Sequence, residues 1–245
     1  MSAQRNKKYS LEVIRHSASH VLASAINQLF PGTQFGIGPA IENGFYYDIK
    51  LPKEVRLNDN DLVLIKNKMQ EIINSKLEFE QSLVEIDEAI KLFTKLKQPY
   101  KLELINELAQ AGNKSVSIYK LGEYIDLCVG PHVKNSSVIK AFELLSIAGA
   151  YWKGDEKNDM LTRIYGTAFE SQEELNVYLE NQKQLKARDH RVLGQQLDLF
   201  CFSDLVGPGL PLFTPRGTAI REALQKKIEG ICYKKGFRKV MTPHI

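Results

Sequence analysis

A chain of 245 residues can form one large domain or two ordinary ones. With 43% hydrophobic and 25% charged residues it can bury a core, which excludes disorder as its dominant state. No apolar stretch approaches the roughly 20 residues that cross a bilayer, and residues 1–8 lack the apolar middle of a signal peptide, so the expectation is a cytoplasmic protein without membrane contact. The net charge of +4 says little until it is placed: residues 183–245 hold 12 basic against 5 acidic residues, an excess of +7 that leaves −3 for the rest. A near-neutral body and a basic C-terminal piece are expected, with a seam between Glu170 and Arg191.

Residues 10–30 predict a helix, capped by Ser10 and closed at Pro31, with Ile14, Ala18, Val21, Leu22, Ala25 and Leu29 on one stripe. Asn43-Gly44 between apolar runs is a hairpin signal, because both residues tolerate positive φ. Asp61–Asn74 repeats apolar residues at helical spacing, Leu77–Val84 alternates as a strand, and Asp87–Leu96 returns to helix. Further strands are expected at 115–120, 123–128, 142–147 and 160–166, the last two separated by the Gly154-Asp155 turn. This order predicts an α+β fold with a mainly antiparallel sheet. The basic piece predicts one long helix over 171–191, a Gly/Pro-rich stretch over 206–211, a helix over 217–235 and a strand over Phe237–Thr242. The chain then stops two residues after Pro243, which reads as truncation.

Two segments could carry chemistry. His16 and His20 stand one helical turn apart, and the helical wheel turns both away from the apolar stripe. In a strand over 123–128, Tyr124, Asp126 and Cys128 share a face, and the Gly130-Pro131 turn allows His132 to fold back towards it. His-x3-His with Cys-x3-His supplies four zinc-type ligands, but the same groups could order a water as general bases without metal, and spacing does not choose. Cys128, Cys201 and Cys232 are odd in number and far apart, and read as thiols. There is no Gly-Lys dipeptide for a P-loop and no Gly-x-Ser-x-Gly elbow.

Several runs taken together resemble a known family. Arg15-His-Ser-Ala-Ser-His20, Ile37 through Asp48, Tyr124 through His132, Ala148 through Asp155, Arg163 through Thr167, Arg188-Asp-His-Arg191 and Gln196-Leu-Asp-Leu199 resemble bacterial-type threonyl-tRNA synthetase, in order and over nearly the whole chain after Tyr9. The resemblance implies a tail at 1–8, an aminoacyl-tRNA editing domain over 9–169, a linker helix over 170–191, and over 192–245 the start of a class II catalytic domain whose first motif forms a homodimer interface in the full enzyme. It also implies that the family's small first domain is missing and that the chain ends before the ATP, Mg2+ and threonine-binding Zn2+ sites, so aminoacylation by this chain is not expected.

The implied substrate is the acceptor end of tRNA(Thr) carrying serine, which lacks only a methyl of threonine. One methyl is worth about 1–3 kcal/mol, too little for a single pocket, so a second pocket hydrolyses the mistake. By motif position, His16, Lys101 and His132 take catalytic roles, while His20, Asp126 and Cys128 bind substrate. Lys183, Lys186, Arg188 and Arg191 face tRNA phosphates, the alternative being a solvated spacer. No metal is expected for editing, although His16, His20, Cys128 and His132 could accept Zn2+. Two other readings stay open: a non-catalytic tRNA- or synthetase-binding fragment, and a freestanding zinc-dependent editor of alanyl type.

Overall fold

The computed structural model describes residues 9–242. The chain divides into two compact units, Met1–Val177 and Tyr178–Ile245.

The first unit opens with α1 (Leu11–Leu29), capped by Ser10, whose hydroxyl accepts the Val13 N–H at 3.4 Å. Short strands β1 (Gln34–Phe35) and β2 (Ala40–Ile41) lead through the Asn43 turn into β3 (Gly44–Lys50), with Ala40 opposite Phe45. Next come α2 (Asp59–Asn74), with a capping box from Asn58 and Asp61, then β4 (Phe79–Glu85), α3 (Ile86–Lys95) and α4 (Pro99–Gln110). β5 (Ser115–Leu121), β6 (Tyr124–Leu127), β7 (Ala141–Tyr151) and β8 (Met160–Phe169) complete the strands of this unit. α5 (Gln172–Ala187) straddles the division between units.

The fold is α+β, with every named strand pair antiparallel. One sheet has the order β1-β3-β8-β7 with β2 added to β3; the other has the order β4-β5-β6. α1 packs against both sheets, touching β3 and β8 on one side and β5 and β6 on the other. That position corrects the one-stripe reading of the helix: Arg15, Ser17, Ser19, His20 and Ser24 are buried along with the expected apolar residues. A second cluster, Ala89, Phe93, Ile105, Val116 and Ile118, packs α3 and α4 on the far face of the three-stranded sheet.

In the second unit the long helix expected over 171–191 is two helices. α5 ends at Ala187, Asp189 caps α6 (His190–Gln196) by accepting the Arg191 N–H at 2.8 Å, and a cap forces the chain out of helical geometry. β9 (Phe200–Cys201) pairs with β10 (Leu212–Phe213), and α7 (Pro215–Lys234) begins at the Thr214 cap. Phe237–Thr242, expected as a strand, is irregular. It has no partner strand among the described residues, and an unpaired strand leaves its backbone groups unbonded. Residues 1–8, expected as a tail, and the end of the chain beyond Thr242 lie outside the described residues.

Candidate functional site

α1 supplies His16 and His20 with ring centroids 5.1 Å apart. Beyond the end of β6 the chain continues far enough in register for the Cys128 N–H to reach the Ser117 carbonyl at 3.1 Å, then turns at Gly130. Gly130 has φ +80°, and its missing side chain leaves room for the Tyr119 ring, so two constraints require glycine there. The turn returns His132 over the helix, 4.3 Å between centroids from both His16 and His20. Phe79 stacks on His132 at 4.9 Å and Tyr119 meets it edge-on at 4.4 Å.

Ser17 fixes the His132 tautomer. Its hydroxyl donates to the Val13 carbonyl at 2.8 Å, which uses its single proton, so towards His132 Nδ1 at 3.1 Å it can only accept. The proton therefore sits on Nδ1, and Nε2 presents its lone pair to Cys128 Sγ at 3.3 Å. His16 Nε2 approaches the same sulfur, also at 3.3 Å. The role of that nitrogen follows the His16 tautomer: with the proton on its Nδ1, one thiol proton faces two acceptor nitrogens and the cluster holds a spare lone pair for a water or a cation.

Burial sets the charge states. It pushes His132 down to about 2, with neighbouring His20 and His16 adding to the shift. Burial also lowers His16, against a backbone hydrogen bond to Pro131, and holds His20 well below the usual imidazole value. The same burial raises Cys128 to about 11. At neutral pH the cluster is three uncharged imidazoles around a protonated thiol.

Behind His20 lies a buried polar network. Asp126 is 1% exposed and Lys101 3%, and the two form an ion pair. The Tyr47 hydroxyl donates to Asp126 Oδ2, lies 3.0 Å from the Tyr124 hydroxyl, and accepts from Lys101 Nζ at 3.2 Å. His20 Nδ1 stands 3.4 Å from Asp126 Oδ2. Asp126 lies on the cluster's face of the sheet, as strand alternation required, but its carboxylate is already engaged by protein groups.

Of the residues singled out in the sequence, His16, His20, Cys128 and His132 converge, with donor atoms all within 4.8 Å of one another. Lys101 and Asp126 stand behind them. Lys183 and Lys186 are exposed on α5, Arg188 lies at the helix break, and Arg191 on α6 is tied to Asp189 at 2.7 Å; all four belong to the second unit. Sequence reasoning singled out neither Tyr47 nor Ser17 as functional. Alternation along Phe45-Tyr-Tyr-Asp-Ile49 puts Tyr47 on the core face, but nothing local shows that its hydroxyl meets Asp126.

The four donors, all within 4.8 Å of one another, could hold a metal ion. Tetrahedral donors at ordinary Zn–N and Zn–S lengths stand about 3.5 Å apart, close to the 3.3 Å separations between sulfur and the two imidazole nitrogens. The His132 tautomer already leaves the ligating nitrogen free.

Residues 116–165, which carry β5, β6, Cys128 and His132, match the family described as "Threonyl and Alanyl tRNA synthetase second additional domain". The chain is 47% identical over 230 residues to a "Threonine--tRNA ligase" of Azobacteroides pseudotrichonymphae, covering 94% of this chain and 35% of the relative. Proteins of the same name from Pelobacter propionicus and Listeria monocytogenes are 47% and 45% identical over 96% of the chain. The chain is a homologue of threonine--tRNA ligases, as its motifs implied, and it spans about a third of the length of the relatives it matches, 35–37%.

Proposed function

We propose that the N-terminal unit is an editing hydrolase that cleaves the ester of Ser-tRNA(Thr) in the cytoplasm, residues 9–169 being the editing domain, 170–191 a linker and 192–245 the start of a class II catalytic domain. Threonylation with ATP and homodimer formation are proposed for the whole enzyme rather than for this chain. The observation that carries the reading is the convergence of three uncharged imidazoles and a thiol on one half-open point.

Water bound there attacks the ester carbonyl carbon while an imidazole takes its proton, and the bond to the ribose oxygen then breaks. The products are serine and tRNA with its hydroxyl restored. His16 is assigned the proton transfer, because its Nε2 is at the sulfur and its ring is half-exposed, within reach of substrate. His132 holds the water from the other side, in the tautomer Ser17 imposes. Cys128, protonated, shapes the pocket and is not the nucleophile. Lys101 and Asp126 position His20 and set the local field, and direct capture of the serine ammonium by Asp126 requires His20 or Lys101 to yield. Zinc, if bound, would be held by His16, His20, Cys128 and His132 and would supply Lewis acidity.

The test is deacylation of Ser-tRNA(Thr) by the purified chain before and after chelation, beside His16→Ala. The expected outcomes are no loss on chelation and a fall of about 10²–10⁴ in the variant. An unchanged rate in His16→Ala removes that residue from the chemistry. Loss on chelation restored by zinc selects the metal reading.

A further inference from the structure

α4 carries Lys101 into the buried ion pair, yet much of what holds α4 lies away from the cluster. Tyr100, Glu103, Leu104 and Glu107 recur at helical spacing and share one face, while Lys101 and Ile105 turn to the next. Ile105 packs with α3 and the three-stranded sheet. The Tyr100 face meets the tip of the β7–β8 hairpin, which belongs to the five-stranded sheet. α4 therefore joins the two sheets, and the ammonium it carries is paired across the same division, with Asp126 of β6 and the Tyr47 hydroxyl of β3.

The hairpin tip is built as a clamp on that helix. Trp152 is 3% exposed and clusters with Tyr100 and Leu161, its ring 5.0 Å from that of Tyr100. Its indole N–H donates to Glu103 at 2.9 Å. Lys153 donates to Glu103 at 2.5 Å and also to Glu107, one helical turn further on. The backbone of Lys153 is left-handed, φ +55°, which is uncommon for a residue with a side chain and is adopted where its ammonium reaches both carboxylates. Asp159, on the other side of the tip, accepts from the Tyr100 hydroxyl and from Lys50, each at 2.7 Å. The Trp152 N–H donates to the Asp159 carbonyl at 2.9 Å, so the two sides of the clamp are tied together. Gln98 fixes the start of α4, accepting from the Phe35 N–H at 2.8 Å and donating to the Thr33 carbonyl at 3.0 Å.

Exposed ion pairs contribute little to stability, so their concentration along one short helix calls for a geometric account. We infer that Trp152 and Lys153 are positioning residues for the deacylation, fixing α4 so that Lys101 stands between Asp126 and Tyr47 and Asp126 stays against His20. The inference rests on the deacylase reading and extends its machinery to a hairpin tip. Neither residue joins the cluster, and both act through Glu103 on the helix that bears Lys101.

The test is steady-state deacylation of Ser-tRNA(Thr) by the full chain. Trp152→Phe combined with Lys153→Met removes both hydrogen bonds to Glu103 and keeps an aromatic ring against Tyr100. In that variant kcat should fall about ten- to a hundredfold, the order of a small misplacement, with KM within about twofold, because substrate still docks while the reacting geometry is lost. Lys153→Arg, which still spans both carboxylates, should keep kcat near wild type. Lys66→Met cuts an ion pair of similar exposure, with Glu143 at 2.7 Å and away from α4, and should leave kcat and KM unchanged. Should the combined variant melt below the assay temperature, Trp152→Phe alone carries the test with the same readout. Wild-type deacylation with an unchanged kcat in the clamp variant, with a rise in KM alone, or with an equal fall in Lys66→Met overturns the positioning role and leaves the hydrolase standing. No deacylation by wild type removes both readings.

Discussion

The N-terminal unit buries charge inside its core, whereas the C-terminal unit buries almost nothing. In the first, Lys101 and Asp126 lie paired beneath three desolvated histidines. In the second, among the described residues from Tyr178 onward, only Gly194 and Gly217 are buried. α7 carries Ile220, Leu224, Ile228 and Ile231 at spacings of four, four and three, each about half-exposed, with Leu224 at 59% and Ile228 at 60%. A proline at its first turn and the Thr214 cap set where α7 starts, but packing of an apolar face is what stabilises most helices in proteins, and α7 has little of it. The two units therefore have different kinds of weakness: the first is sensitive to any change that strands a buried charge, and the second tolerates most changes.

The largest expected effect follows from that difference. Lys101→Met removes the buried cation paired with Asp126, which should cost about 3–5 kcal/mol of unfolding free energy. Lys183→Met, on exposed α5, should stay within about 0.5 kcal/mol. Urea denaturation measures both. A loss below about 1 kcal/mol for Lys101→Met would mean that water reaches the pair, and the contrast between the units would weaken.

Acid should find the same unit. An unfolded histidine titrates near 6.5, whereas His132 in the fold stays neutral to about 2. Below pH 6.5 the unfolded chain binds a proton that the folded chain refuses, so stability falls as pH falls. It is fully present above 6.5 and declines by up to about 1.4 kcal/mol per pH unit for this one group. Chelator-treated wild type should therefore lose stability between pH 6.5 and 5 more steeply than His132→Asn, by up to that slope. Equal slopes in the two proteins would show that the ring is solvated.

Local signals made the first unit legible where each signal had one physical cause. Ser10 before an apolar period gave α1, Asn43-Gly44 gave the hairpin, and alternation gave the face shared by Tyr124, Asp126 and Cys128. The His-x3-His and Cys-x3-His segments announced a cluster because few core arrangements need those residues at those spacings. The helical wheel could not show that His20 is buried: it finds the richest apolar side of a helix, and α1 is enclosed on two sides by sheets distant in sequence. α4 was passed over although Pro99 marks its first turn and Leu104, Ile105 and Leu108 stand at helical spacing. The break at Arg188 was hidden because Asp189 can cap a new helix or continue an old one, and composition alone does not choose.

A smaller effect is expected where the second unit exposes its apolar stripe. Leu224→Glu with Ile228→Glu should reduce binding of a hydrophobic dye and raise solubility, while Ser-tRNA(Thr) deacylation stays within about twofold and the main melting transition within about 0.5 kcal/mol. A large fall in stability would show that the stripe is packed in solution and that the second unit has a core of its own.

The smallest effect separates the four cations proposed to meet tRNA. Lys183 and Lys186 lie three residues apart on exposed α5, and neither has a side-chain partner among the described residues. Each is free to neutralise a phosphate, and each phosphate contact contributes about 0.7–0.9 to the slope of log affinity against log salt. Lys183→Ala and Lys186→Ala should each lower the slope by about that amount in a salt titration of tRNA binding. Arg191 is held by Asp189 through two side-chain contacts, 2.7 and 3.1 Å, and must break them before it can reach a phosphate. Arg191→Ala should therefore change the slope by less than either lysine variant. If all three leave it unchanged, this stretch is a solvated spacer, and the basic excess of the second unit acts elsewhere or not at all.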